Sequence, residues 1–82
     1  MPLPLPKNCR LNAEERGVNF DVEIDGRIWK AFITFEALDA EYPNQDRIDA
    51  LSRSSYITRK VAERIRGGDD VEPIVLRTTM FR

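Results

Sequence analysis

The chain has no histidine and only one cysteine, Cys9. Those absences remove an internal disulfide, the His/Cys ligand sets of zinc sites and the imidazole base of most serine and cysteine hydrolases. Its four glycines supply no phosphate-cradling loop, because Gly67-Gly68 is placed to close a helix and not to open one. No apolar run approaches the ~20 residues that span a bilayer, so no membrane partner is expected. The opening Met1-Pro-Leu-Pro-Leu-Pro6 is punctuated by proline and lacks the apolar stretch of a signal peptide, which points to a cytoplasmic location. An excess of one charge is missing as well. With 13 basic and 14 acidic residues the net charge is -1, and nothing draws the molecule as a whole towards nucleic acid.

What is present suffices for one core. Hydrophobic residues make up 41% of the 82 and charged residues 33%, a globular balance in a chain too short for two cores. Residues 12–82 are expected to form a single α+β domain, preceded by an extended proline-rich arm at 1–11 that adds little to it.

The clearest pattern is the alternation of Val18, Phe20, Val22 and Ile24 with Asn19, Asp21, Glu23 and Asp25, the period of a strand with one dry face and one wet face. Before it, Asn12-Ala-Glu-Glu15 has the spacing of a capping box and predicts one helical turn ending at Gly17. After it, Asp25-Gly26 suits the positive φ angles of a type I′ turn and predicts a hairpin. Pairing Ile24 with Arg27 then sets Val22 against Trp29, Phe20 against Ala31 and Val18 against Ile33. Phe35 to Ala40 reads as a short helix stopped by Tyr42-Pro43. One long amphipathic helix is expected next, capped by Asn44 or Asp46 and running to Arg66. Ile48, Leu51, Ser55, Thr58, Val61, Ala62 and Ile65 fall in its apolar stripe. Val71 to Phe81 reads as a closing strand, with Ile74, Leu76, Thr78 and Met80 on one face. The expected sheet is three-stranded and antiparallel in the order 2-1-3, with the closing strand beside the first, and the helix covers one face.

Val18-Asn-Phe20, Ile24-Asp-Gly26 and Ile33-Thr-Phe-Glu-Ala-Leu38, followed by an arginine-containing helix and a closing strand, give residues 12–80 a family likeness. This stretch resembles the small bacterial family catalogued as domain of unknown function 1488. The resemblance implies the α+β fold and no activity. The proline-rich arm and the residues after Met80 depart from the family pattern.

No catalytic residue, cofactor or metal is expected. Ser52, Ser54 and Ser55 have no base to activate them, and Cys9 has only Lys7 and Arg10 nearby. Asp21, Glu23 and Asp25 lie along one strand and cannot wrap an ion. Two surfaces remain. The far side of the hairpin carries Ile28, Lys30, Phe32 and Thr34, and Ile28 and Phe32 are more apolar than a solvated face requires. Such a face is either covered by the N-terminal arm or suits a protein partner or a second copy of the chain, giving a homodimer through this face or a strand edge. The outer side of the long helix carries Arg53, Lys60 and Arg64, at seven- and four-residue spacings. It suits weak binding of nucleic acid or another anionic ligand, although a solvated helix face is the simpler explanation and only Tyr56 lies among the charges. The leading function is therefore a non-catalytic protein-interaction module, whose partner the residues do not name.

Overall fold

The computed structural model describes residues 4–77. Its elements are β1 (Lys7–Asn12), β2 (Gly17–Ile24), β3 (Arg27–Thr34), α1 (Phe35–Glu41), α2 (Arg47–Ser52), α3 (Ser55–Arg66) and β4 (Ile74–Leu76). The fold is α+β, with a four-stranded mixed sheet in the order β1-β2-β3-β4.

The central hairpin follows from its alternation and its turn. Asp25 and Gly26 take φ of 54° and 81°, as a type I′ turn demands. Ile24 pairs with Arg27, Val22 with Trp29, Phe20 with Ala31 and Val18 with Ile33. The inner face so formed is dry: Val18, Phe20, Val22 and Ile33 are fully buried, and Trp29 is closed off by the Arg27 guanidinium stacked 3.8 Å from its ring. Ala37, Leu38, Leu51, Ile57, Val61 and Ala62 complete the core, so all three helices lie against this face.

Several expectations are corrected. The segment expected as a free arm supplies the edge strand β1 from Lys7 onward, antiparallel to β2, with a bulge between Lys7 and Arg10. Asn12 does bond the Glu15 amide, at 3.2 Å, but the turn it caps joins β1 to β2. The sheet is neither three-stranded nor wholly antiparallel. Because β1 occupies the outer edge of β2, β4 pairs in parallel with β3 on the other side, matching Ala31 with Ile74 and Ile33 with Leu76. Ile74 and Leu76 are buried as expected, while Thr78 and Met80 lie outside the described residues.

The long helix is two helices. Asp46 caps α2 by accepting from the Asp49 amide at 2.9 Å, and α2 ends after Ser52. Ser54 then leaves the helical conformation and caps α3, its Oγ accepting from the Ile57 amide at 3.2 Å. Ser52-Arg53-Ser54-Ser55 holds three serines, whose hydroxyls compete for backbone donors, so this is where the chain can give way. The break shifts the phase: Ser55, expected in the apolar stripe, is exposed, whereas Thr58, Val61 and Ala62 stay buried. The Gly68 backbone, at φ 101°, ends α3.

Thr58 is fully buried in this layer and its Oγ1 has no hydrogen-bond partner. Thr58→Val keeps the volume and removes a desolvated hydroxyl, so it is expected to raise the unfolding free energy by about 1 kcal/mol in urea denaturation. A loss of stability would show that the hydroxyl has found a partner.

Candidate functional site

The outer face of the sheet is built by the residues that alternate with the core. In β2 these are Asn19, Asp21 and Glu23, and in β3 Ile28, Lys30 and Phe32, paired as Asn19 with Phe32, Asp21 with Lys30 and Glu23 with Ile28. β1 adds Lys7 opposite Asp21 and Arg10 opposite Asn19, and β4 adds Val75 opposite Phe32. None of the described helices covers this face, since all pack on the other.

The four residues singled out from the sequence separate here. Ile28 is 54% exposed and Lys30 is exposed beside it. Phe32, expected on the surface, is only 6% exposed although it lies outside the main core. Its ring lies across Gly17, and Asn19 and Val75 flank it, at the floor of a concavity of about 360 Å³ rimmed by Arg10, Lys30 and Glu72. Thr34 is engaged elsewhere: its Oγ1 accepts from the Ala37 amide at 3.1 Å and caps α1. Arg10 and Val75 were not recognisable as part of this face. The only sequence signal for Arg10 was the short alternation of Cys9 and Leu11 with Asn8, Arg10 and Asn12, within a segment whose prolines suggest an arm.

The charges of this face are unpaired. The four salt bridges among the described residues, Arg47–Asp39, Arg53–Asp49, Lys60–Glu63 and Arg64–Asp69, all lie in the helical layer. Among the described residues, Lys7, Arg10 and Lys30 have no carboxylate within salt-bridge distance, and Asp21 and Glu23 have no cation. Asp21 Oδ2 accepts from the Asn8 amide group at 3.0 Å, while its Oδ1 is buried without a partner. The backbone N–H of Lys30 donates to Glu72 Oε1 at 2.9 Å, which fixes the segment before β4 against the edge of β3.

The basic face is less continuous than its spacing suggests. Arg53 is the C-cap of α2, on a different helix from Lys60 and Arg64. Each of the three already meets a carboxylate: Arg53 reaches Asp49 at 3.2 Å, Lys60 reaches Glu63 at 3.5 Å, and Arg64 pairs with Asp69. The best-formed pair lies elsewhere, where Arg47 grips Asp39 through two bonds of 2.9 and 2.7 Å and stacks 4.2 Å from the Phe35 ring. That grip holds the Asp39 carboxyl below the ordinary carboxylate range. The stabilisation is present above the unfolded pKa, ~3.9, and is lost as the pH falls through the lowered folded value. The gap in stability between wild type and Asp39→Asn is therefore expected to be widest near neutrality and to close in acid. Denaturation curves across that range check it, and a gap independent of pH would show that the charge is not what matters.

The residues weighed for chemistry have structural surroundings. Ser54 is a buried cap, and Ser52 donates to the Asp49 carbonyl at 3.0 Å. Burial pushes the Cys9 thiol up, against the opposing pull of Arg10. Among the described residues no three His, Cys, Asp or Glu side chains converge as a metal site, and no helix is long and apolar enough to cross a membrane. None of the protein-family models, curated proteins or solved structures compared with the chain matches it.

Proposed function

We propose that this domain is a non-catalytic protein-interaction module that binds through the outer face of its sheet. One observation carries the reading: Ile28 stands 54% exposed on a face that no described element covers, beside Lys30 and on the same side of β3 as Phe32 and its concavity. An exposed branched side chain amid unpaired charges of both signs is the composition of a contact surface with an apolar anchor and a polar surround. Membership of the bacterial family called domain of unknown function 1488, and a cytoplasmic setting in keeping with one unpaired cysteine, belong to the same proposal. Neither supplies an activity.

Binding of nucleic acid or another anionic ligand through Arg53, Lys60 and Arg64 is the lesser reading, because each of those cations already has a carboxylate partner. Affinity capture from native lysate, with and without nuclease, separates the two. A protein retained by wild type and by the variant carrying Arg53→Glu, Lys60→Glu and Arg64→Glu, but lost by Ile28→Asp, is the expected result. Material lost on nuclease treatment and in the triple variant, yet kept by Ile28→Asp, would overturn it in favour of the basic face.

A further inference from the structure

We infer that the outer sheet face takes a second copy of the same chain, in a face-to-face two-fold dimer whose axis runs parallel to the strands between β2 and β3. The inference rests on the interaction-module reading and names its partner. It starts from the charges. The helical layer satisfies its ions internally, whereas the outer face carries Lys7, Arg10 and Lys30 with Asp21 and Glu23 and forms no ion pair among them. A patch with both signs on it and neither satisfied is complementary to itself, provided a symmetry operation superposes the opposite signs.

The register decides which operation does so. Asp21 and Lys30 are directly paired across β2 and β3, at the same level along the sheet. A two-fold axis in the contact plane and perpendicular to the strands lays β2 on β2 and brings Asp21 against Asp21. An axis parallel to the strands and midway between β2 and β3 lays β2 of one copy on β3 of the other. Asp21 then meets Lys30 of the second copy, and Lys30 meets its Asp21, so the contact is made twice. The same operation sets Ile28 beside the stem of Glu23 and Asn19 over the rim of the Phe32 concavity, following the pairs Glu23 with Ile28 and Asn19 with Phe32.

The area sets the strength. Strands of six, eight, eight and three residues, at ~3.3 Å per residue and ~4.8 Å spacing, give a flat face on the order of 400 Å² per copy. That is the small end of specific interfaces, so the dimer is weak and forms with concentration.

Charge exchange tests it. Sedimentation of the full chain, loaded up to roughly 1 mM, where an interface of this size associates, is expected to show the mass rising from 9.5 kDa towards twice that value. Lys30→Glu alone and Asp21→Lys alone each place like charges across the axis and are expected to stay monomeric at the same loading. An equimolar mixture of the two restores both opposite-sign contacts and is expected to associate again. Circular dichroism checks that each variant is folded, and Ile28→Asp, at an exposed position, serves as a second disrupting variant should Asp21→Lys unfold. A wild type that stays monomeric, or variants that dimerise as well as it does, would overturn the inference. A monomeric wild type would still leave the interaction module to be judged by its own capture experiment, in which Ile28→Asp loses a different protein.

Discussion

Gly17→Ala is expected to lower the unfolding free energy by about 3 kcal/mol, although the position lies in a strand, where alanine is ordinarily the better residue. The reason is proximity and not backbone freedom. A methyl group at Gly17 falls inside the envelope of Phe32 Cζ and Cε2 and stands 2.5 Å from the Ile33 carbonyl oxygen. The ring can swing away, but doing so exposes a phenylalanine that is now 6% accessible, worth roughly 2 kcal/mol, and the carbonyl moves only with the strand. Phe32→Ala supplies the control. On that background Gly17→Ala is expected to cost at least ~1 kcal/mol less, because the ring component has gone. Urea denaturation of the four proteins gives the coupling, and equal costs on both backgrounds would mean that the ring does not lie over the glycine. Gly17→Ala is also expected to raise self-association, since a ring released from Gly17 adds apolar surface to the outer face.

This contact explains why the sequence exposed Phe32 and the structure does not. Alternation places Phe32 on the outer face, and it is there; what alternation cannot convey is a glycine diagonally across the sheet that lets the ring lie flat. The hairpin was legible to the residue because its three determinants agree: the apolar period, the Asp25-Gly26 turn and the cross-strand matches. The sheet order was not. Whether β4 pairs beside β2 or β3 depends on which edge is free, and β1, with its prolines before it and a bulge after Lys7, carries too short an alternation to reveal that it takes the outer edge of β2. Of the candidate face, Ile28 and Lys30 follow from β3 alone. Arg10 and Val75 join it only through the strand order, and the unsatisfied state of its charges only through distances.

The break between α2 and α3 carries the second large effect, because its cause is long-range. Periodicity from Ile48 to Ile65 favours one helix, and Arg53-Ser54 can be helical in isolation. What holds Ser54 out of the helix is its burial, 5% exposed, and two partners at once: its Oγ accepts from the Ile57 amide and shares a hydrogen bond with the Tyr42 hydroxyl at the end of α1. One atom therefore starts α3 and ties it to α1. Ser54→Ala removes a cap, at about 1 kcal/mol, and leaves the half-buried Tyr42 hydroxyl without that partner, for about another 1 to 2. A loss of about 2 to 3 kcal/mol is expected in urea denaturation, a large share of the 5 to 15 kcal/mol typical of such a domain. Ser55→Ala, one residue on and exposed, is expected to change stability by no more than ~0.5 kcal/mol. Tyr42→Phe should cost less in the Ser54→Ala background than in wild type, since the bond it removes is already broken. Equal losses from Ser54→Ala and Ser55→Ala would mean that α2 and α3 are separated by the weak helix propensity of the serine run alone. A coupled loss would place the separation in the contact with α1, which bends the helical layer over the inner face and leaves the outer face free.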